Sequence, residues 1–268
     1  MTIDSTARIS PGAVVGKDAV IGPYCIVGPN VVIGEGCVLR SHINVEGHTT
    51  IGPRTKIAPF VSLGGPPQSM KYGGGPTRLV IGSENDIREN VTMNIGTEED
   101  GGLTQVGDRC YIMAGTHVAH DCKVGNNVVF ANNVLLGGHS TIGDNVVFGG
   151  GVAVRQFVRI GEGAMIVGLS GVRADVIPFG MAHGPLADLV GLNVIGLRRR
   201  GVDKAGLHRI RDAYHAIFFG EGTFKERLAR FPDELAAEPM VARILDFIKT
   251  AKRPLTMAVH RADSGDAS

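Results

Sequence analysis

The sequence predicts a solenoid of parallel β-strands followed by a small α-helical domain. Over long stretches an aliphatic residue occupies every sixth position, and Gly, Asn or Asp crowds the positions that follow it. The 268 residues include 39 glycines and no tryptophan, and the six-residue pattern stops after Ile177. A period of six fits neither an α-helix nor a continuous strand, but it fits a short strand followed by a turn. The pattern therefore predicts a parallel β-helix of hexapeptide repeats.

The repeat begins at Ile9 and resumes after two interruptions. All ten hexads from Ile9 to Gln68 start with an apolar residue, three more follow from Ile81, and all twelve from Val106 to Ile177 start with Val, Ile, Leu or Phe. Three hexads form one triangular coil of about 18 residues, and neighbouring coils pair at about 4.8 Å. The leading aliphatics point inward and form the core. Together the hexads predict roughly eight coils.

The predicted β-helix comprises residues 1–190, with insertions at 66–78 and 96–105. An insertion interrupts the contacts between neighbouring coils, and loops of this length are often functional. Both insertions are therefore candidates for contributing to a site.

Residues 191–268 are predicted to form a C-terminal α-helical domain. Asp203 is a good N-cap, and the segment after it places Ile210, Tyr214 and Ile217 on one helical face. Residues 261–268, "RADSGDAS", are predicted to be a disordered tail.

The composition argues against nucleic acid or a membrane as the partner. Lys and Arg number 27 against 26 Asp and Glu, so no overall field attracts nucleic acid or a membrane surface. No stretch approaches the roughly 18 apolar residues that span a bilayer. The four cysteines form no CxxC pair, and the N-terminus lacks the pattern of a secretion signal. We expect a cytoplasmic protein without membrane insertion.

The segment "MAGTHVAHDC" carries the candidate site. In an 18-residue coil His120 lies below Gly138, which lies below Gln156, and Asp121 lies below His139. An imidazole beside a carboxylate has the composition of a general base, because the acid fixes the ring's tautomer and stabilises the imidazolium that forms. The amide of Gly138 could donate to an oxyanion.

The same segment also contains His117, which the register places near a corner of the coil. His117, His120 and His139 could be counted as three zinc ligands. The alternative function is therefore a zinc hydratase of the trimeric β-helix carbonic anhydrase type. Those enzymes place two of their histidines five residues apart, whereas HxxH here puts its members on different sides of a turn, so we expect no metal.

Several motifs on this solenoid closely resemble one family. They are "KY" with "GPTR" after it, "THVAHDC", "LGGH", "VRQF", "SGV" and "GLNVIGLRRRG", in that order. The chain resembles the UDP-N-acetylglucosamine acyltransferases of lipid A synthesis over nearly its whole length. The resemblance implies a left-handed β-helix, a homotrimer with sites between neighbouring solenoids, and no cofactor. It implies transfer of an (R)-3-hydroxyacyl group from acyl carrier protein to the 3-position of the UDP-sugar.

The resemblance also implies roles for individual residues. His120 matches the catalytic base, Asp121 its partner, and Gly138 the amide that faces the thioester oxygen. The implied substrate-binding positions are Ser69, Lys71, His117, His139, Gln156, Gly168, Asn193, Arg199 and Arg200. Gly168 matches the position that limits acyl length, and the last three match nucleotide contacts. The arginine run could equally be a solvated surface or bind the acidic carrier protein.

Three positions depart from the family pattern. Ser69 stands where an aspartate commonly contacts the sugar 3-position, Ile195 replaces a glutamate toward the ribose, and Arg155 replaces a histidine. A carboxylate beside an amine favours the non-nucleophilic ammonium form. The loss of that aspartate therefore suggests an acceptor with a 3-amino group, as an alternative to the 3-hydroxyl.

Overall fold

We describe a computed structural model of the chain, which covers residues 1–259. The predicted tail at 261–268 lies outside the described residues. Residues 1–177 form a three-sided prism of short strands, to which a β-hairpin and a set of helices are added. The strands in chain order are β1 (Thr2–Ile3), β2 (Arg8–Ile9), β3 (Val14–Val15), β4 (Val20–Ile21), β5 (Ile26–Val27), β6 (Val32–Ile33), β7 (Val38–Leu39), β8 (Asn44–Val45), β9 (His48–Ile51), β10 (Lys56–Ile57), β11 (Ser62–Gly65), β12 (Arg78–Ile81), β13 (Asp86–Ile87), β14 (Thr92–Asn94), β15 (Leu103–Val106), β16 (Tyr111–Ile112), β17 (His117–Val118), β18 (Lys123–Val124), β19 (Val129–Phe130), β20 (Leu135–Leu136), β21 (Thr141–Ile142), β22 (Val147–Phe148), β23 (Ala153–Val154), β24 (Arg159–Ile160), β25 (Met165–Ile166), β26 (Gly171–Val172), β27 (Gly180–His183) and β28 (Asp188–Leu192).

Every third strand joins the same sheet. The first sheet runs β1, β4, β7 and onward to β25, the second from β2 to β26, and the third from β3 to β24. Pairing is parallel at a spacing of 18 residues where no loop intervenes, as between Ile21 and Leu39. Strands β1 to β26 make nearly nine coils, close to the roughly eight predicted. The difference includes β1, which forms at Thr2–Ile3 before the first recognised hexad.

The core is a column of aliphatic side chains inside the prism. From β4 onward, the second residue of each two-residue strand is buried and the first faces outward, as in Val38–Leu39 and Val129–Phe130. Phe130 and Phe148 stack within the core with ring centroids 4.9 Å apart and a 6° interplanar angle. The four cysteines also point inward and are free thiols. Because the apolar interior extends from coil to coil, each coil is stabilised by the two that flank it.

Three edges connect the sheets. The first edge, between the first and second sheets, includes turns 22–25 and 149–152; the second edge, between the second and third sheets, includes 119–122, 137–140 and 155–158; the third edge includes 125–128 and 161–164. One residue in most turns has a left-handed φ, which Gly and Asn adopt most easily.

Both insertions leave the solenoid at the second edge. The first connects β11 to β12 and the second connects β14 to β15 through a 3-10 helix at Glu98–Asp100. The predicted insertion limits extend slightly too far, because Arg78 and Leu103 already begin strands. These four-residue strands pair in register with each other, Arg78 opposite Leu103, and this pairing sets the ends of the loops.

The C-terminal helices follow a β-hairpin that the sequence analysis did not predict. Strand β27 pairs in parallel with β25, and β28 returns antiparallel to β27. The helices are α1 (Val194–Arg199), α2 (Lys204–Phe218), α3 (Phe224–Ala229), α4 (Asp233–Ala236) and α5 (Pro239–Lys249).

The prediction for α2 is confirmed. The Asp203 carboxylate accepts a hydrogen bond from the Gly206 amide at 2.7 Å, and Ile210, Tyr214 and Ile217 are buried. Among the described residues no helix has the length and apolarity needed to cross a membrane.

Candidate active site

The predicted catalytic cluster lies on the second edge, in consecutive turns after β17, β20 and β23. The His139 amide donates to the His120 carbonyl at 3.0 Å, and the Phe157 amide donates to the Gly138 carbonyl at 2.9 Å. Gln156 lies in the turn above Gly138, and its side chain is exposed. The 18-residue coil therefore brings the predicted neighbours together.

His120 and Asp121 form a buried hydrogen-bonded pair. Nδ1 of His120 lies 2.8 Å from Oδ2 of Asp121, and their side chains are 9% and 0% exposed. Because a carboxylate only accepts, Nδ1 carries the proton and Nε2 is left as the basic nitrogen. This is the arrangement that a general base requires.

The second insertion holds the Asp121 carboxylate from the other side. The Thr97 amide donates to the two carboxylate oxygens at 2.9 and 3.1 Å, and the Thr97 hydroxyl donates to Oδ2 at 2.6 Å. The Asp121 amide in turn donates to the Thr104 hydroxyl at 2.8 Å. Sequence reasoning missed both threonines, although the second insertion lies one coil before the "HDC" turn on the same edge, which was a signal for their contribution.

Gly138 lies against the face of the His120 ring. A Cβ atom at this position would be 2.6 Å from Cε1 and 2.8 Å from Nε2 of His120. Within the described chain the Gly138 amide donates no hydrogen bond. Glycine therefore provides both room for the imidazole and an available N–H close to its basic nitrogen.

His139 adds a second imidazole to the cluster. Its ring meets the His120 ring edge to face, with centroids 5.0 Å apart at 88°, and its Nε2 lies 3.7 Å from Oδ2 of Asp121. His139 also stacks on Phe157 with centroids 4.3 Å apart at 5°. The cluster is thus continuous from Asp121 to Phe157.

His117 is the first residue of strand β17 and follows directly on the turn 113–116, so it lies next to a corner, as the sequence analysis expected. His117 faces outward from the second sheet, and its Nδ1 lies 2.7 Å from the Thr92 hydroxyl. Burial, aided by nearby His120, lowers the pKa of His117 below its ordinary value. Its ring is therefore neutral at pH 7.

Ser69 and Lys71 lie in the first insertion, next to the second. The Lys71 side chain is 78% exposed, with Nζ 3.7 Å from Glu99, and the Ser69 hydroxyl accepts from the Lys71 amide at 3.3 Å. The Gly75 amide donates to the Glu98 carboxylate at 2.7 Å. The two insertions therefore contact each other beside the His120 turn.

The other predicted site residues lie on different edges. Gly168 is in a turn of the first edge, where a Cβ atom would lie 3.1 Å from the Gly150 carbonyl oxygen. Asn193 caps α1 and donates to the Gly163 carbonyl at the third edge, at 2.9 Å. Arg200 also lies beside Gly163. One copy of the chain therefore does not bring Gly168, Asn193 or Arg200 to the His120 turn.

Three more positions of interest are solvent-exposed. They are Arg199 at the end of α1, Ile195 on the same helix, and Arg155 beside Gln156. None of the three contacts the His120 turn within its own chain.

The zinc hypothesis required His117, His120 and His139 to converge. The structure instead groups His120, Asp121 and His139, with one ligand atom of each within 4.8 Å of the others. His117 is hydrogen-bonded to a threonine, and Oδ2 of Asp121 already accepts from His120 and Thr97. The grouping favours an oriented base over a metal centre.

Comparisons with known proteins agree with this geometry. Residues 175–256 match the profile of UDP-N-acetylglucosamine O-acyltransferase domain 2, and residues 1–35 and 103–138 match bacterial transferase hexapeptide repeats. An acyl-[acyl-carrier-protein]–UDP-N-acetylglucosamine O-acyltransferase of Paracoccus denitrificans is 49% identical over 190 residues, which cover 71% of this chain and 72% of that protein. The chain belongs to this acyltransferase family.

Other members of the family are similarly close. The Azorhizobium caulinodans acyltransferase is 55% identical over 190 residues, covering 71% of this chain and 70% of that protein. The crystal structure of the Moraxella catarrhalis UDP-N-acetylglucosamine O-acyltransferase matches with a TM-score of 0.92 and 41% identity over 96% of this chain and 100% of that chain. The predicted fold, a left-handed parallel β-helix with a C-terminal helical domain, is confirmed.

Proposed function

We propose that this chain transfers an (R)-3-hydroxyacyl group from acyl carrier protein to the 3-position of UDP-N-acetylglucosamine, the first step of lipid A synthesis, with His120 as general base. Family membership supports the substrates, since its relatives carry that name. The observation that carries the mechanism is the buried His120–Asp121 pair under the Gly138 amide.

The reaction follows from that pair. Nε2 of His120 removes the proton from the acceptor hydroxyl while the oxygen attacks the thioester carbonyl, and a tetrahedral oxyanion forms. The Gly138 amide donates a hydrogen bond to this oxyanion. Collapse breaks the carbon–sulfur bond, and the leaving thiolate takes the proton back from His120. Asp121 keeps the imidazole in the required tautomer throughout.

Substrate contacts are proposed for residues on all three edges. His139, Gln156, Ser69 and Lys71 surround the His120 turn. The remaining proposed contacts are His117 on the second sheet, Gly168 at the first edge, and Asn193, Arg199 and Arg200 near the third edge. Their separation within one chain supports a homotrimer in which neighbouring copies complete each site.

A cytoplasmic location is proposed on two grounds. The carrier-protein substrate is expected there, and the four cysteines are free, buried thiols. Proteins of oxidising compartments more often use cysteine in disulfides.

The two candidate acceptor sugars differ in the group at the 3-position, which is a hydroxyl in one and an amine in the other. Ser69 puts no negative charge near the sugar, which is compatible with a 3-amino acceptor and amide formation. The Ser69 hydroxyl accepts from the amide of Lys71, and the Lys71 ammonium pairs with Glu99 of the second insertion. One positive and one negative side chain therefore lie near the serine. The hydroxyl acceptor is the main proposal because the relatives are named O-acyltransferases.

One assay tests the proposed function. Purified protein is given (R)-3-hydroxyacyl carrier protein with either UDP-N-acetylglucosamine or its 3-amino analogue, and products are measured by mass spectrometry. We expect an acylated UDP-sugar, with a new ester from the first acceptor. If only the 3-amino sugar gives product, the bond formed is an amide and the 3-hydroxyl acceptor is wrong. If neither sugar gives product, the proposed function is contradicted.

A further inference from the structure

We propose that Phe157 is a positioning residue that holds His139 against the His120–Asp121 pair, and that Arg253 fixes Phe157 in turn. This inference rests on the proposed function, because its readout is the rate of acyl transfer. It extends the site upward by one coil and connects it to the end of the helical domain.

The rings form a continuous column on the second edge. Asp121, His139 and Phe157 are spaced by 18 residues and occupy the same position in consecutive turns, with φ of 60°, 61° and 65°. The rings of Phe157 and His139 are nearly parallel, with centroids 4.3 Å apart. The rings of His139 and His120 are nearly perpendicular to each other. The orientation of the His139 ring therefore depends on a flat neighbour above it.

Arg253 contacts the Phe157 ring from the C-terminal segment. Its guanidinium carbon lies 4.8 Å from the ring centroid, within the range of a cation–π interaction. The segment is anchored beside Asp175, in the coil above Phe157. The Asp175 amide donates to the Pro254 carbonyl at 3.0 Å, and the Thr256 amide donates to the Asp175 carbonyl at 2.8 Å.

The backbone conformation at Phe157 suits asparagine better than an aromatic residue. A bulky residue rarely adopts a φ of +65°, and asparagine adopts it more easily. Asn127, Asn133 and Asn145 fill equivalent turn positions at φ of 55–60°. Other turns also hold aromatic residues at a similar φ. What distinguishes Phe157 is that its ring stacks on His139.

The inference predicts a variant with reduced activity and undiminished thermal stability. Phe157→Asn suits the backbone but removes the stack, so its thermal midpoint should equal or exceed that of the wild type. Its kcat should fall about threefold to tenfold, the range expected for one aromatic contact, while KM for both substrates stays within about twofold. Phe157→Tyr keeps the ring and should restore kcat.

Tyr24→Asn is the matched control. Tyr24 has a φ of 58° in a turn of the first edge and contacts the His42 ring at 4.9 Å, far from the His120 turn. The same substitution there should leave kcat unchanged. An equal loss of kcat in this control would overturn the inference, because the effect would then come from general changes in the solenoid.

A double-mutant cycle separates positioning from direct substrate contact. If Phe157 acts through His139, then adding Phe157→Asn to His139→Asn should lower kcat no further. Multiplying effects would overturn the inference, as would wild-type kcat in Phe157→Asn. A wild-type protein without turnover would instead remove the proposed function, and this inference with it.

Discussion

The first and second edges of the prism carry the same kind of ring stack and differ in what surrounds it. At the first edge Tyr24, His42 and Phe60 stack at centroid distances of 4.9 and 5.1 Å, and all three are exposed. At the second edge the His120 ring is buried and hydrogen-bonded to Asp121. The coil alone thus aligns histidines and aromatic rings, whereas at the second edge an insertion adds hydrogen bonds to the buried Asp121 carboxylate.

The largest expected difference between the edges is the effect of removing a histidine. His120→Ala should lower kcat by about 10² to 10⁴, the usual contribution of a general base. His42→Ala, at the same kind of turn on the first edge, should leave the rate unchanged. Steady-state assays and circular dichroism of both variants test this. Comparable rates in the two variants would remove the distinction between the edges.

The second expected effect concerns the space around the His120 ring. Gly138→Ala puts a methyl group 2.6 Å from Cε1, so the ring must move, and misplacement by about 1 Å costs about 100-fold in rate. Gly28→Ala is the control, since its methyl group would approach no atom closer than 3.3 Å. The rates of both variants are measured beside their thermal midpoints. Wild-type turnover in Gly138→Ala would show that the ring tolerates displacement.

How far this site could be predicted depends on the regularity of each segment. The contacts of His120 with Gly138 and of Asp121 with His139 follow from the 18-residue coil, because strict repetition fixes neighbours. Thr97 is the exception, and it was missed because a loop does not follow the repeat.

The C-terminal region shows the same limit. The Asp203 cap could be predicted because a helix start depends on nearby residues. The β27–β28 hairpin could not, since its first strand is selected by pairing with β25, which is a tertiary contact. The position of Arg253 over Phe157 likewise depends on how the chain end folds back.

A smaller effect is expected from the insertion that supports Asp121. Thr97→Val removes the hydroxyl bond to Oδ2 but keeps the backbone bonds, and a hydrogen bond to a charged group contributes about 1.5–3 kcal/mol. The rate should fall about tenfold or somewhat more. Thr55→Val, which loses a 3.1 Å bond to the Gly82 carbonyl at the third edge, should affect stability alone. An unchanged rate in Thr97→Val would mean that the loop does not orient the carboxylate.

The smallest difference between the edges should be in thiol reactivity. Cys25 is the last residue of the turn that contains Tyr24, and Cys122 is the last residue of the turn that contains Asp121. Both cysteines are fully buried. Burial raises the pKa of both thiols, that of Cys122 to about 12. At pH 8 iodoacetamide should label neither cysteine in the folded protein and both in denaturant, as read by peptide mass spectrometry. Selective labelling of Cys122 would show that the second edge opens in solution.

The same thiols predict how stability depends on pH. Their pKa values are higher in the folded state than the ordinary value of about 8.5, and Cys110 reaches about 11. The unfolded chain therefore loses these protons first. The thiol contribution is complete below about pH 8.5 and declines as pH rises toward 11 to 12. Denaturant titrations across that range measure the decline, and a free energy of unfolding that rises there would contradict it.

Apart from a register shift between Leu63 and Gly65, where β11 leads into the first insertion, the strands beside the two insertions keep their register. Leu79 pairs with Thr49, thirty residues earlier, and with Thr104, twenty-five residues later, just as other strands pair across eighteen. The pairing of strands in neighbouring coils therefore tolerates connecting loops of different length. Divergent descendants can lengthen, shorten or recompose these segments and so acquire new acceptor preferences while inheriting the prism unchanged.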